Sequence, residues 1–324
     1  MKWAALEGRF EFQDSDVVFR GEPTPWKDPK DPQGQERIGY APGLALTSGV
    51  FAGGKISADV EFDKISPLNS CEIVFFYDPA RKILLSAGLG CPPLMYGIRQ
   101  WDGIKGVSTP YAMTGDRRNL VSHHPYSLSV SVQGSRVSML DDGVEVLSTV
   151  LPFPVPPSQV GLYCFDDTDI KVRSFRPESR PGRVFVVMQF SSPFNEIYEE
   201  VIKRVCLDLF QLEARRADDA TGPGLVMADV VNDIVDSEFV IAEITPTNPN
   251  VYYELGYAHA IGKPVIMLAN RKDLPRLPFD IAAARVLFYE DSIAGRRKFE
   301  EQLARHIEAI LQKRTVPSGR GGLT

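Results

Sequence analysis

A single carboxylate stands in an otherwise apolar stretch of the chain. The stretch is NPNVYYELGYAHAIGKP, residues 248–264, and its carboxylate is Glu254. Asn248 is a favourable N-cap residue, so the spacing predicts a helix that begins there. Asn250 and Tyr257, four residues before Glu254 and three after it, share its helix face. An unpaired carboxylate is costly inside a protein unless it faces a cavity, so we interpret Glu254 as the reactive group of a site.

A structural role for Glu254 is the alternative interpretation. The side chain could be an ordinary surface glutamate, or it could form an ion pair with Arg215 or Lys263. The predicted helix carries few charges on any side, which is typical of a largely buried helix. This pattern favours the interpretation in which Glu254 faces a cavity.

Composition sets the broad class of the protein. The chain has 324 residues, a net charge of −6, and 44% hydrophobic residues, which predicts two globular domains and argues against a broad nucleic-acid footprint. No apolar run approaches the roughly 20 residues that span a bilayer, and the N-terminal residues lack the apolar core of a signal peptide. We therefore expect a cytoplasmic protein without membrane association.

The four cysteines are expected to be buried free thiols. None of them forms a CxxC pair, and they lie in or beside apolar stretches such as CEIVFF and GLYCF. They are Cys71, Cys91, Cys164 and Cys206. This distribution is typical of reduced core cysteines.

Residues 1–176 have the pattern of an all-β domain. In KISADVEF, residues 55–62, apolar and polar residues alternate strictly, as in a strand with one buried face. Residues 126–147 alternate in the same way and contain two glycine turns. Further short strands are predicted over residues 159–165 and 170–175. The pattern predicts a β-sandwich.

The pattern changes after a polar, proline-rich linker at residues 176–183. Continuous apolar runs follow and alternate with helical patterns, which predicts an α/β domain over residues 183–315. We expect an open, doubly wound parallel sheet of five strands in flavodoxin-like order. Its second strand is placed at 211–217 and its fifth at 284–290. Residues 316–324 are expected to form a mobile tail.

Ligands of such sheets bind beyond the carboxyl ends of the strands, where the strand order reverses. Two loops meet at that point in the predicted domain, residues 188–196 and 243–254. The candidate substrate-binding residues are therefore those that these loops, the second strand and the following helix supply. They are Met188, Gln189, Phe190, Asp218, Glu243, Asn248, Asn250 and Tyr257.

Two segments carry a resemblance to a known family. VFVVMQFSSPFNEIYEEVIK and ADVVNDIVDSEFVIAEITPTNPNVYYELGYAHAIGKPVIML, within residues 183–290, resemble nucleoside 2-deoxyribosyltransferase-like proteins, which are close in fold to Toll/interleukin-1 receptor (TIR)-like NAD hydrolases. The resemblance implies that Glu254 is the nucleophile. The chain departs from the family pattern at Gln189, where a proline is common, and at Glu243, where many relatives have aspartate.

The chemistry of N-glycosidic cleavage is compatible with this resemblance. A carboxylate beside the anomeric carbon can stabilise positive charge or form a covalent ester. Nicotinamide leaves NAD⁺ without much acid help, whereas a neutral purine usually needs a general acid. Asp218, Asp219 and Glu243 are candidates for that acid, and a solvated or capping role is the alternative for each. No cofactor or metal is expected, because NAD⁺ or a nucleotide would be the substrate.

The first domain resembles concanavalin/laminin-G-like sandwiches more loosely, through GVFAGGKISADVEF and VGLYCFDDTDIKVRSF. We expect a sensor or assembly module with an unknown ligand or protein partner. Trp3, Trp26 and Trp101 could form a platform for a sugar, or they could be packing residues.

Three functions follow as hypotheses. The first is cleavage of the N-glycosidic bond of NAD⁺ or a related nucleotide by a regulated, TIR-like enzyme, an NAD(P)⁺ nucleosidase that could serve bacterial defence. The second is a nucleoside 2-deoxyribosyltransferase or nucleotide N-hydrolase. The third is a non-catalytic nucleotide-sensing or assembly protein. The resemblance also implies a homo-oligomer.

Overall fold

Antiparallel β-structure dominates the chain. The computed structural model describes residues 1–26, 37–219, 226–245, 247–274, 285–290 and 292–312. Within them lie twenty strands and four α-helices. Among the described residues, no helix has the length and apolar character needed to cross a membrane.

The larger sheet of the sandwich has eight strands. They are β1 (Trp3–Glu7), β4 (Pro23–Trp26), β5 (Arg37–Phe51), β7 (Ser70–Asp78), β8 (Ile83–Leu89), β9 (Tyr96–Asp102), β10 (Val107–Thr114) and β14 (Ser158–Asp166). Their order is β1-β5-β14-β7-β8-β9-β10, and β4 pairs with β5 outside this path.

The second sheet of the sandwich has seven strands. They are β2 (Arg9–Gln13), β3 (Asp16–Arg20), β6 (Gly54–Phe62), β11 (Tyr126–Gln133), β12 (Arg136–Asp141), β13 (Val144–Val150) and β15 (Ile170–Ser179). Their order is β13-β12-β11-β6-β15-β3-β2. Neighbouring strands of both sheets pair antiparallel.

The core of the sandwich lies between the two sheets. On β6, Ile56, Val60 and Phe62 are fully buried, and they alternate with residues that are only partly buried. The alternation predicted for residues 55–62 is confirmed, and so is the β-sandwich. Burial of each such side chain contributes roughly 1.5–3 kcal/mol, which makes this layer the main source of stability of the sandwich.

A third sheet contains five parallel strands. They are β16 (Arg183–Val187), β17 (Glu213–Arg215), β18 (Phe239–Glu243), β19 (Val265–Asn270) and β20 (Val286–Tyr289), in the order β17-β16-β18-β19-β20. The four helices are α1 (Phe194–Ile197), α2 (Val226–Asp236), α3 (Pro249–Ala260) and α4 (Ile293–Gln312). Apolar clusters cover both faces of the sheet.

The predicted fold class needs correction. The prediction combined an N-terminal β-sandwich with a C-terminal flavodoxin-like α/β domain, whereas the structure is mainly β, with eight and seven of its twenty strands in two antiparallel sheets. Complete helices do not follow every strand either: α1 has four residues and continues as π-helical segments over Tyr198–Ile202 and Val205–Leu209. Local sequence patterns specify whether a segment forms a helix or a strand, but the fold class depends on how many strands assemble into each sheet.

A hairpin of the sandwich docks against the end of α2. Lys263 is buried, and its ammonium group donates to Ser135 Oγ (3.0 Å), Val235 O (2.9 Å) and Ser237 O (2.8 Å). Gly134 lies so close that a Cβ there would meet Ser237 O at 2.4 Å. Beside it, Arg136 Nε donates to Asp236 Oδ1 at 2.7 Å. These contacts join the β11–β12 hairpin to the end of α2.

Replacement of Lys263 should test this docking. We expect Lys263→Met to lower the free energy of unfolding by roughly 2–4 kcal/mol, because it leaves buried acceptors without their charged donor. Chemical denaturation would measure the change, with Lys272→Met, at an exposed position, as the control. Equal stability of the two variants would show that the buried ammonium does not hold the hairpin.

Candidate binding groove

A groove crosses the face of the eight-stranded sheet that points away from the core. On β7, Cys71, Ile73 and Phe75 enter the core, so the alternate residues face outward. Glu72 and Val74 are outward residues, yet both are fully buried. Burial on an outward face means that neighbouring groups rise around these positions and form a concave surface.

Two adjoining cavities make up this surface, which we call the sheet groove. They measure about 340 Å³ and 470 Å³ and share Pro42, Leu84, Trp101 and Tyr163 as wall residues. The first is also lined by Leu68, Ser70, Glu72, Ser86, Pro92, Arg99 and Phe165, and the second by Leu6, Glu7, Leu44, Tyr77, Lys82 and Gly103. Each volume is in the range of a small-molecule site.

A buried ion pair forms the polar floor of the groove. Arg99 contacts both carboxylate oxygens of Glu72, with Nε at 2.8 Å from Oε2 and Nη2 on Oε1. Ser86 Oγ donates to Oε2 of the same carboxylate at 2.7 Å. Burial alone would lower the pKa of Arg99, but the Glu72 carboxylate outweighs it and raises that pKa. Arg99 is therefore held charged, and it contacts Glu72 with bidentate geometry.

Aromatic rings provide the walls. Trp101, Tyr163 and Tyr77 pack against a small apolar cluster on the outward face that includes Leu84 and Val74. Trp101 and Tyr163 border both cavities. Burial raises the pKa of the Tyr163 hydroxyl, which stays protonated and can donate at neutral pH. The groove therefore combines ring surfaces with a charged, planar hydrogen-bonding group.

Sequence reasoning missed most of these residues. Glu72 and Arg99 are single charges inside the otherwise uncharged stretches CEIVFF and YGIRQW, and this was the signal that could have found them. Of the tryptophans proposed as a sugar platform, Trp101 lines the groove, whereas Trp3 stacks on Phe12 at 5.6 Å and packs against the sandwich core. The side chain of Trp26 lies outside the described residues.

The site residues predicted from the sequence lie elsewhere, at the carboxyl edge of the parallel sheet. Met188, Gln189 and Phe190 follow β16, and Glu243 ends β18. None of the predicted site residues lines the sheet groove. Their role as ligand-binding residues stays a prediction.

The α3 residues behave as the sequence predicted locally. Asn248 caps the helix, and its Oδ1 accepts from Asn250 N at 3.0 Å. Glu254 is partly buried, and this burial raises its pKa to about 7. Among the described residues, no hydrogen bond or ion pair reaches its side chain. The alternative pairing with Lys263 is wrong, because that ammonium binds the sandwich hairpin instead. A catalytic role for Glu254 and a ligand-facing role for Tyr257 stay predictions.

Asp218 has a structural partner. Both of its carboxylate oxygens accept from Arg216, at 2.8 Å from Nε and 2.6 Å from Nη2. The Arg216 guanidinium lies over the rings of Phe190 and Tyr198, at 5.0 Å and 4.3 Å from their centroids. Asp219 accepts from the Tyr198 hydroxyl at 2.7 Å. These bonds engage both aspartates in holding the loop after β17.

Glu243 is the most deeply buried of the predicted site residues. Its Oε1 accepts from Thr245 N at 2.8 Å. Burial raises the pKa of its carboxyl group to about 8, so the folded protein holds it neutral at pH 7. Among the described residues, no group of three or more His, Cys, Asp or Glu side chains could hold a metal ion. All four cysteines are free and buried, as predicted.

Solved structures of other proteins are similar to about half of this chain. The structure resembles the carbohydrate-binding module CBM66 from Bacillus subtilis, with 13% identity, a TM-score of 0.41, and coverage of 53% of this chain and 92% of that one. It also resembles a protein of unknown function with a galectin-like fold from Bacillus subtilis, with 14% identity, a TM-score of 0.38, and coverage of 53% and 87%.

A third solved structure is a prokaryotic β-1,3-1,4-glucanase (lichenase) derived from a mouse hindgut metagenome. It shows 13% identity and a TM-score of 0.37, with coverage of 54% of this chain and 93% of that one. No family model matches the chain, and no curated protein matches it. Likenesses at this level carry no functional assignment by themselves.

These findings correct the predicted family and function. The three solved structures are a carbohydrate-binding module, a protein with a galectin-like fold and a glucanase, rather than TIR-like or deoxyribosyltransferase-like proteins. Cleavage of NAD⁺, deoxyribosyl transfer, nucleotide hydrolysis and nucleotide sensing are therefore not retained as functions. The resemblance rested on two segments within residues 183–290, and a local sequence match of this kind does not determine function.

The ionisation of Glu243 gives a testable pH dependence. A carboxyl with a pKa of about 8 in the folded state and 4.5 when unfolded stabilises the fold below pH 4.5, and this contribution is lost as the pH rises towards 8. We expect stability to fall by up to about 1.4 kcal/mol per pH unit across this window in the parent protein. Glu243→Gln should remove that part of the slope.

Thermal unfolding between pH 5 and pH 8 would measure the effect. Glu254 titrates in the same window in both proteins, so the difference between variant and parent isolates Glu243. Parallel pH profiles would mean that Glu243 is ionised in the folded state.

Proposed function

We propose that the sandwich is a carbohydrate-binding module and that the sheet groove holds its ligand. The observation that carries the proposal is the coincidence of two features in one concavity. Trp101 and Tyr163 supply ring surfaces, and Glu72, Arg99 and Ser86 supply a buried hydrogen-bonding floor.

The chemistry of a sugar ring matches this combination. A pyranose has a face of C–H groups, which packs on aromatic rings, and a rim of hydroxyl groups, which both donate and accept. Arg99, whose side chain is 16% exposed, offers N–H groups beyond the two that the ion pair uses, whereas the fully buried Glu72 carboxylate holds the guanidinium in place. Because the two charges offset each other, the floor favours a neutral saccharide over an acidic one.

The geometry favours binding over hydrolysis. Glycoside hydrolysis generally uses two carboxyl groups that flank the scissile bond, one of them protonated. Glu72 is held in an ion pair by Arg99, so it is not available as a proton donor. Glu7 lines only the second cavity, and its side chain is exposed. The groove therefore supports recognition of a saccharide without its cleavage.

Variants of the wall residues test the proposal. We expect Trp101→Ala and Tyr163→Ala each to weaken saccharide binding at least about tenfold, because each removes a ring that stacks on the ligand. Tyr163→Phe keeps the ring and should retain affinity within about threefold. A panel of neutral hexose and pentose oligosaccharides would first identify a ligand, and titration calorimetry would then compare the variants.

Tyr253→Ala serves as the control, because Tyr253 is an exposed aromatic residue on α3, away from the groove. Near-ultraviolet circular dichroism would show that the variants keep the fold. The proposal fails if no neutral oligosaccharide binds the parent protein, or if the control loses as much affinity as Trp101→Ala.

A further inference from the structure

Among the described residues, the third sheet ends in a strand with an open edge. β20 pairs with β19 on one side, through Val286 to Tyr289, and among the described residues no strand pairs with its other side. The N–H and C=O groups on that side therefore point away from the sheet. An open edge of this kind is a template for an added strand.

A cavity of about 300 Å³, which we call the edge slot, runs along this edge. Every residue from Val286 to Glu290 lines it. Side chains of successive strand residues point to opposite faces of a sheet, and here Leu287 and Tyr289 belong to one apolar cluster while Val286 and Phe288 pack against the other. A cavity that touches both sets lies along the edge of the strand rather than over one face.

The other wall of the edge slot comes from α4. Its lining residues there are Gly295, Lys298, Phe299, Gln302 and His306. Lys298, Gln302 and His306 are spaced by four residues, so they form one row along the helix. The row runs beside the strand edge and gives the slot a polar rim.

The rim is positively charged. Arg271 and Lys298 line the slot, and the exposed Arg285 immediately precedes β20. Among the lining residues that the structure describes, Glu290 is the only carboxylate. His306 directs Nδ1 to Gln302 O at 2.8 Å, so its other ring nitrogen points elsewhere. A basic rim contrasts with the net charge of −6 of the whole chain, so it is a local feature.

Arg271 is also positioned beside the strand. Its guanidinium carbon lies 4.9 Å from the centroid of the Phe288 ring, which orients the cation along β20. The slot thus combines three elements that recognise an extended acidic segment. These are backbone groups for pairing, apolar side chains for alternate residues, and cations for carboxylates.

We propose that the edge slot binds an extended, acidic peptide segment of a partner protein, which adds a strand beside β20. The proposal is independent of the saccharide site. A second copy of this chain would bring the same cations face to face, so charge complementarity favours an acidic partner over self-association.

The test uses the full chain and a fluorescein-labelled peptide of alternating glutamate and valine, six residues long. We expect saturable binding by fluorescence polarisation, with a Kd below about 1 mM. Lys298→Glu should weaken binding about tenfold or more. Lys64→Glu, the same charge change at an exposed position on the sandwich, should leave it within about threefold.

A second peptide separates strand pairing from simple charge attraction. It has the same sequence with alternate backbone nitrogens methylated, which blocks the hydrogen bonds to β20 and keeps every charge. We expect this peptide to lose binding. The inference is overturned if the methylated peptide binds as well as the parent peptide, if the parent peptide does not saturate, or if Lys64→Glu weakens binding as much as Lys298→Glu.

Two other occupants are outcomes of the same experiment. An oligothymidylate that binds with equal affinity at the same ionic strength would assign the slot to nucleic acid and overturn the proposal. A dimer of the chain that Lys298→Glu converts to monomer would assign the edge to a second copy, with the same consequence.

Discussion

Strict alternation of side chains along antiparallel strands is the constraint on which the rest of the structure depends. One face of each sheet must bury its apolar residues, because the stability of the sandwich comes mainly from that layer. The residues between them then project from the opposite face. On the eight-stranded sheet this second face is concave, so residues such as Glu72 and Ser86 become buried without entering the core. The binding groove is thus a consequence of the same alternation of side chains that builds the core.

The Glu72–Arg99 pair is costly for a protein to keep. Removal of two charges from water costs several kcal/mol per ion, and mutual attraction offsets this cost only with near-ideal geometry. Here the carboxylate is contacted at both oxygens by Arg99 and receives a further bond from Ser86. An apolar pair would pack on this sheet face at less cost. The retention of charges in a concavity beside Trp101 is therefore better explained by recognition than by stability.

Polar contacts of described residues join the sandwich to the part of the chain that contains the parallel sheet. The buried Lys263 ammonium offers its donors to Ser135 and to carbonyls at the end of α2, where the helix dipole favours a cation. Such a contact fixes the orientation of the sandwich hairpin relative to α2, because its hydrogen bonds are satisfied in one arrangement of these two elements. β17 and β20 form the two opposite edges of the parallel sheet.

The sequence by itself determined the local elements. The alternation of residues 55–62 specified a half-buried strand, and Asn248 specified the start of α3, because both depend on neighbours in the chain. It also indicated that the cysteines are buried. Only the tertiary structure decided which charges meet. Glu72 and Arg99 are 27 residues apart, and they come together because β8 pairs with β7 and β9 in a particular register. Lys263 reaches Ser135, 128 residues away, rather than Glu254 nine residues before it. No local sequence pattern specifies contacts between residues so far apart in the chain, because strand pairing across the sheet is set by the packing of the whole core.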